Sequence, residues 1–226
     1  MSKTIAIIDY GSGNLFSAAK AFEHVIEEEN LPYQVKIENT AEGLNQADRI
    51  VLPGQGAFAD CMGNLRQVPG MISALEKRVL QDRIPFFGIC VGMQLLAEKG
   101  WEHGEHEGLG WIAGDVVPLE KTSSDLKIPQ MGWNELILDQ EEHFLLRSIK
   151  SADFLHKHFY FVHSFMFECK DNESLLAHTQ YGQKVAAIIA KDNIFGTQFH
   201  PEKSQNAGLS LIKDFINWDP DKHQIK

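Results

Sequence analysis

A short apolar segment that ends in a glycine–cysteine–glycine pattern constrains this chain more than any other feature. Residues 85–96 read PFFGICVGMQLL, so an apolar run leads into Gly88-Ile89-Cys90-Val91-Gly92 and then into helix-forming residues. This pattern predicts a strand, a sharp turn at the cysteine and a helix. Gly88 and Gly92 leave room for the turn and for close packing of the backbone. We therefore expect Cys90 to project from a sheet edge at the N-terminus of a helix.

A cysteine in this position is typical of an enzymatic nucleophile. A helix N-terminus favours negative charge, and the thiolate is the attacking form of cysteine. Residues 196–204 read GTQFHPEKS, in which His200 can accept the thiol proton and Glu202 can hold the imidazole in one tautomer. We expect Glu202 on the same side of an extended chain as His200, because side chains alternate along a strand. The sequence thus predicts a Cys90–His200–Glu202 triad.

A glycine-rich turn supplies the third element of this chemistry. Residues 49–58 read RIVLPGQGAF, which predicts a strand that runs into a turn. Backbone N–H groups near Gln55 and Gly56 can face a developing oxyanion, and the N–H of Val91 can serve as a second donor.

Strands and helices alternate in the first hundred residues, which predicts a mostly parallel sheet. The predicted strands there are Thr4–Tyr10, Tyr33–Glu38, Arg49–Leu52 and Pro85–Ile89, and the predicted helices are Asn14–Glu29, Pro69–Gln81 and Val91–Lys99. Further on, the predicted strands are Trp111–Leu119, Glu135–Leu138, Phe159–Glu168, Leu175–Tyr181, Val185–Ala190 and Ile194–Phe199, followed by a helix over residues 205–217. We expect one α/β domain over residues 1–226, with a central, mostly parallel mixed sheet and helices on both faces.

Composition excludes several classes of function. The formal net charge is −10 without basic clusters, which argues against nucleic acid and anionic membranes as partners. No apolar stretch reaches the ~20 residues that span a bilayer, and no signal peptide is recognisable, so we expect a cytoplasmic protein. The three cysteines are scattered and do not indicate a disulfide framework. No histidine and cysteine set has structural-zinc spacing, and we expect no metal site.

Taken together, these segments resemble the class I glutamine amidotransferases, whose nucleophile is a cysteine. Finer motifs are similar to those of the glutaminase subunits of imidazole glycerol phosphate synthase. They are IDYGSGNL (8–15), PGQGAF (53–58), MGWN (131–134), YFVHS (160–164) and QFHPEKS (198–204). The resemblance extends from Ile5 to about Trp218 and implies the class I glutamine amidotransferase fold.

The resemblance also implies roles for individual residues. Gln94, one helical turn after Cys90, would contact the substrate glutamine, and Glu102 corresponds by spacing to an acidic residue on the substrate side. The segment His163-Ser164-Phe165 would bind the α-amino and carboxylate groups, largely through its backbone. The family commonly has Tyr where this chain has Phe165 and Val where it has Gln55. The residues implied at the partner interface are Asn14, Trp133, Tyr160 and Lys203.

The implied reaction is glutamine amide hydrolysis without a cofactor. The implied partner is a (β/α)8-barrel cyclase, which forms a heterodimer with the glutaminase and receives ammonia through a channel during histidine biosynthesis. Two alternatives stay open on the sequence. One is a paralogous glutaminase that feeds a different synthetase, and the other is a catalytically silent docking subunit.

Overall fold

The computed structural model describes residues 2–151 and 157–223. The first part contains strands β1 (Lys3–Ile8), β2 (Tyr33–Glu38), β3 (Arg49–Gly54) and β4 (Phe86–Cys90), with helices α1 (Leu15–Glu28), α2 (Phe58–Gln67), α3 (Met71–Leu75) and α4 (Val91–Gln94). A π-helical segment, Glu76–Gln81, extends α3. Then follow β5 (Lys99–Gly100), β6 (His106–Glu107), β7 (Gly114–Pro118), β8 (Gln130–Glu135), β9 (Ile137–Leu138), α5 (Arg147–Ser151), β10 (His158–His163), β11 (Phe165–Cys169), β12 (Leu175–Gln180), β13 (Lys184–Lys191), β14 (Ile194–Thr197) and α6 (Gln205–Asn217).

The main sheet has eight strands in the order β2-β1-β3-β4-β14-β13-β12-β9. The five strands from β2 to β14 are parallel, and the remaining three pair antiparallel. The connections β1–α1–β2 and β3–α2–α3–β4 run in opposite directions along the sheet. Because parallel crossovers are right-handed, their helices lie on opposite faces. This arrangement agrees with the predicted fold class.

Aromatic packing fixes β4, the strand that leads to Cys90, between two layers. On one face, the ring of Phe87 lies 5.1 Å from Phe215 of α6 and 4.7 Å from Phe195 of β14, measured between centroids. On the other face, Phe86 makes an edge contact with Trp111 at 5.3 Å. These rings are buried, so the end of β4 is held by packing on both sides.

The helix predicted over residues 91–99 ends at Gln94 and is therefore much shorter than expected. The backbone carbonyls that would continue it accept hydrogen bonds from a later loop instead. The N–H of Leu109 donates to the carbonyl of Leu95, and the N–H groups of Trp111 and Ile112 donate to that of Leu96. The same bonds delay the strand predicted from Trp111, which begins at Gly114.

The strand predicted over residues 159–168 is divided in two. Its first half, β10, pairs antiparallel with β8, and its second half, β11, pairs with β7 in a separate four-stranded sheet. The break falls at Ser164, so the chain changes sheets beside the predicted substrate segment. Helix α2 was not predicted from the sequence, whereas α6 covers the predicted residues.

Candidate active site

Cys90 is the last residue of β4 and has a strained backbone, with φ 56° and ψ −111°. Positive φ is uncommon for a residue with a side chain, and strain of this kind often marks a functional site. The turn requires the two flanking glycines, as the sequence predicted. A methyl group on Gly92 would overlap the Leu52 carbonyl oxygen, and one on Gly88 would overlap the Gly92 backbone.

His200 and Glu202 lie in contact, but not for the reason that the sequence suggested. Pro201–Lys203 form a 3-10 turn rather than an extended chain, so strand alternation was the wrong basis for pairing the two residues. The turn nevertheless places Nδ1 of His200 2.8 Å from Oε1 of Glu202, with both side chains buried. The carboxylate can therefore hold the imidazole in the tautomer that carries a proton on Nδ1.

The charge state of His200 depends on its two neighbours. Burial lowers the pKa of the imidazole, but the Cys90 sulfur and the Glu202 carboxylate outweigh burial and raise this pKa to about 9. At neutral pH the ring is therefore an imidazolium. A cationic ring beside a sulfur is suited to stabilising a thiolate.

Cys90 and His200 open onto one cavity of about 280 Å³. It brings together the predicted triad cysteine and histidine, the oxyanion residues and the substrate residues. Its lining comprises Gln55, Gly56, Cys90, Val91, Gln94, Glu102, Pro129, Val162, His163, Ser164, Phe165, His200 and Lys203. Glu202 lies behind His200 and is absent from this lining.

The turn after β3 is held in a defined orientation by side chains from other segments. The Ser12 hydroxyl donates to the Gln55 carbonyl at 2.6 Å, and the Cys61 thiol lies 3.4 Å from the same oxygen. Because the C=O and N–H of a trans peptide point in opposite directions, the Gly56 N–H faces away from Ser12 and Cys61. Gly56 itself has φ 109°, a conformation open to glycine.

The carbonyl oxygen of Phe165 organises the substrate side of the cavity. It accepts a hydrogen bond from Nε2 of Gln94 at 3.0 Å and lies 2.8 Å from Nδ1 of His163. Burial lowers the pKa of His163 to about 4, so the ring is neutral and Nδ1 carries the proton that the carbonyl accepts. Its other nitrogen, Nε2, is then an acceptor, and it is buried without a partner among the described residues.

Glu102 also lines the cavity. Its Oε2 accepts a hydrogen bond from the backbone N–H of Phe58 at 2.7 Å, which fixes the carboxylate at the N-terminus of α2. One carboxylate oxygen of Glu102 thus bonds the helix, and the negative charge of this carboxylate lies at the edge of the cavity. A carboxylate in this place can attract the ammonium group of an amino-acid ligand.

Residues 6–218 match the family model "Glutamine amidotransferase class-I". The imidazole glycerol phosphate synthase subunit HisH of Brucella suis is 50% identical to this chain over 216 residues, which cover 96% of this chain and 99% of that protein. The HisH subunit of Zymomonas mobilis is 50% identical over 97% of this chain and 98% of that protein. This chain belongs to the HisH family of class I glutamine amidotransferases.

Solved structures agree with this glutamine amidotransferase fold. A structure of PurLQS from Thermotoga maritima superposes with a TM-score of 0.68 over 96% of this chain and 99% of that chain, at 17% identity. A crystal structure described as a glutamine amidotransferase gives a TM-score of 0.64 over 93% of this chain and 98% of that chain, at 16% identity. At these identities the likeness shows the fold alone.

The residues that were expected at a partner interface occupy three places in this glutamine amidotransferase. Strands β8 and β10 form a two-stranded antiparallel ribbon, in which Trp133 and Tyr160 are directly paired with ring centroids 6.0 Å apart. The Tyr160 carbonyl accepts from the N–H of His200, so the ribbon is tied to the catalytic segment. Lys203 lines the cavity, and Asn14 caps α1 by accepting a hydrogen bond from the Ser17 N–H.

Several contacts around the amidotransferase cavity were missed by the sequence reasoning. Tyr10 donates to the Pro53 carbonyl near the end of β3, Ser12 and Cys61 contact the Gln55 carbonyl in the turn after it, and Gln198 contacts Cys90. Gln198 stands two residues before His200 and begins the motif QFHPEKS (198–204), and these were the available signals. Within residues 2–151 and 157–223, no group of three or more His, Cys, Asp and Glu side chains could hold a metal ion. No helix in the described part of the chain is long and apolar enough to span a membrane.

Proposed function

We propose that this chain hydrolyses the side-chain amide of glutamine and is the glutaminase subunit of an imidazole glycerol phosphate synthase in histidine biosynthesis. Relatives that are 50% identical to this chain over nearly its whole length are HisH subunits of imidazole glycerol phosphate synthase. The observation that carries the proposal is the joint placement, at one cavity, of a strained Cys90 and of His200, whose imidazole is held by Glu202. This arrangement supplies a nucleophile, an acid–base group and an orienting carboxylate.

The reaction begins with attack of the Cys90 thiolate on the amide carbon of glutamine. The carbon becomes tetrahedral, and its oxyanion accepts hydrogen bonds from the backbone N–H groups of Gly56 and Val91. His200 gives its proton to the departing nitrogen, so the C–N bond breaks, ammonia leaves and a thioester remains. His200, now neutral, takes a proton from water as the water attacks the thioester, which releases glutamate and restores the imidazolium.

The substrate's amino-acid end is recognised by other residues that line the cavity. The Glu102 carboxylate attracts the α-ammonium group, and Gln94 and the backbone of Ser164 and Phe165 provide polar contacts. Phe165 supplies no phenol hydrogen bond, and its backbone carbonyl is already bound by Gln94 and His163, so Glu102 and Oε1 of Gln94 carry the side-chain contacts with the substrate in this proposal. No cofactor takes part in any of these steps.

The proposed partner is a (β/α)8-barrel cyclase that receives the ammonia. Four of the exposed large apolar side chains are close in sequence to Asn14 or Trp133, or are Trp133 itself, and would be covered by such a partner. They are Phe16 (76%), Met131 (64%), Trp133 (45%) and Ile128 (40%). Met131 and Trp133 point to the same side of β8, since they are two residues apart in a strand. Asn14, Trp133, Tyr160 and Lys203 would face this partner near the ammonia exit.

The test is a Cys90→Ser substitution in the assembled synthase. Glutamine-dependent turnover should be abolished, whereas turnover with added ammonium salt should survive, because the cyclase chemistry lies in the other subunit. Cys169→Ser is the matched control: this cysteine lies outside the cavity lining, and burial raises its pKa to about 12, so both activities should remain. Retention of glutamine-dependent turnover by Cys90→Ser, or loss of both activities in an assembled complex, would contradict the proposal.

A further inference from the structure

A fully buried glutamine side chain lies between the nucleophile and the substrate side of the cavity. Gln198 follows directly after β14, and its backbone N–H is bound by the Ala187 carbonyl of β13. Its Nε2 lies 3.8 Å from the Cys90 sulfur, and its Oε1 lies 3.1 Å from Nε2 of Gln94. One side-chain amide thus touches both the reacting atom and a residue of the substrate wall.

The orientation of this amide follows from a chain of hydrogen bonds with a fixed start. The Phe165 backbone carbonyl can only accept, so Gln94 must present its NH₂ group there. The same nitrogen reaches Gln198, which must therefore present its oxygen. The NH₂ group of Gln198 is then turned toward Cys90. Gln94 thus donates both to the Phe165 carbonyl and to Gln198, and Gln198 in turn donates to the sulfur.

We propose that Gln198 is a further catalytic residue, which donates a hydrogen bond to the Cys90 thiolate and also positions Gln94. This inference rests on the proposed glutaminase function. A hydrogen bond to an ionised acceptor is stronger than one between neutral groups, so the contact favours the thiolate over the thiol. The charged and titratable groups around the sulfur are His200, Tyr10, Cys61, Glu102 and Lys203. Gln198 adds a donor that does not titrate.

The second effect concerns Gln94. Both hydrogens of its NH₂ group are used, one by Phe165 and one by Gln198, which leaves Oε1 available to a ligand in the cavity. Loss of the Gln198 acceptor would free the Gln94 amide to rotate. Substrate affinity would then fall together with the reactivity of the sulfur.

Two substitutions separate the two effects. Gln198→Met removes both polar contacts at similar volume, so the rate of Cys90 alkylation by iodoacetamide at neutral pH should fall about tenfold and KM for glutamine should rise. Gln198→Glu keeps the acceptor for Gln94 but places a carboxylate against the sulfur. KM should stay near the wild-type value, while alkylation at neutral pH falls further than in Gln198→Met and its pH profile moves to higher pH.

Alkylation is followed on the full chain by the mass of the Cys90 peptide, and kcat and KM are measured on the assembled synthase. Gln130→Met is the alkylation control, because Gln130 is equally buried but bonds Asn134 instead of Cys90. An unchanged pH profile in both folded Gln198 variants would overturn the proposal. If Gln198→Met does not fold, Gln198→Leu, which also removes both polar groups without adding a charge, carries the test through the same profile. Failure of the glutaminase assignment itself would be visible separately, as glutamine turnover that survives Cys90→Ser.

Discussion

Nδ1 of His200 lies 2.8 Å from Oε1 of Glu202, and these side chains are only 6% and 4% exposed. A buried charge is costly unless it is paired, and here the carboxylate is paired with an imidazolium. The contact occupies Nδ1, so Nε2 is left as the nitrogen that can exchange a proton with the thiol or with ammonia. The second oxygen of Glu202 has no partner among the described residues, which makes His200 its main source of stabilisation.

Removal of the carboxylate should impair catalysis less than removal of the imidazole. Glu202→Gln retains an acceptor oxygen for Nδ1 but loses the charge that stabilises the imidazolium. The loss in kcat should be roughly 10²-fold smaller than that of His200→Ala, because an orienting group is one step from the chemistry. Steady-state glutamate production by the assembled synthase measures both values. Equal losses would mean that Glu202 takes part directly in proton transfer.

The pH dependence should have an alkaline limit set by His200. Its pKa is raised to about 9, and the departing ammonia needs the proton that the imidazolium carries. Glutaminase kcat/KM should therefore fall as pH rises through about 9, by about tenfold per further pH unit. Since Glu202 helps to raise this pKa, the limit should move to lower pH in Glu202→Gln. A profile that is flat between pH 8 and pH 10 would contradict the assignment of His200 as the acid.

The elbow should tolerate no side chain at Gly92. The added methyl of Gly92→Ala overlaps the Leu52 carbonyl, and neither backbone can move freely, so destabilisation of about 3 kcal/mol or more is expected. Gly63→Ala is the control, because Gly63 lies within α2 with open space around its Cα. That substitution should stabilise the protein by about 0.5–1 kcal/mol. Urea unfolding of both variants measures the difference, and similar free energies of unfolding would disprove the steric argument.

Local patterns were sufficient to predict much of the fold and of the cavity. The apolar run before Cys90 and the glycines around it dictate a strand and a sharp turn, and periodic apolar residues identify α1 and α6. The early end of α4 could not be predicted, because its cause is hydrogen bonding by residues 109–112, which are distant in sequence. The break at Ser164 could not be predicted either, because the two halves of one extended segment pair with strands of two different sheets.

The chemistry of His200 shows a similar limit. With the ordinary imidazole pKa of about 6.5, His200 would be a neutral base near pH 7, and protonation at lower pH would remove that function. Its proton is instead retained in the folded chain, because the sulfur and the carboxylate outweigh burial. Neither neighbour's distance could be obtained from the pattern HPE, and strand alternation gave the pairing with Glu202 for the wrong reason.

The last prediction concerns dependence on the partner subunit. A glutaminase that acted alone would release ammonia into water, so the isolated chain should hydrolyse glutamine very slowly. The turn Pro53–Gly56 can determine the difference in rate between the isolated chain and the complex, because rotation of the Gln55–Gly56 peptide would remove the Gly56 N–H from the oxyanion. One such donor changes the rate by roughly 10²–10³-fold. Binding of the proposed cyclase partner should therefore raise hydrolysis by about this factor, by shifting the turn toward the donor orientation.

Gly56→Ala tests whether the partner acts through this turn. The space around Gly56 is open, so the substitution acts through its φ of 109°, which a residue with a side chain rarely adopts. It should lower hydrolysis by the complex to nearly the rate of the lone wild-type chain and leave the lone chain little changed. Ammonia-dependent turnover and assembly of the complex serve as controls and should be retained. Full-rate hydrolysis by the lone wild-type chain would refute the partner dependence. A complex of Gly56→Ala that still responds to the partner would show that the activation reaches the cavity by another route.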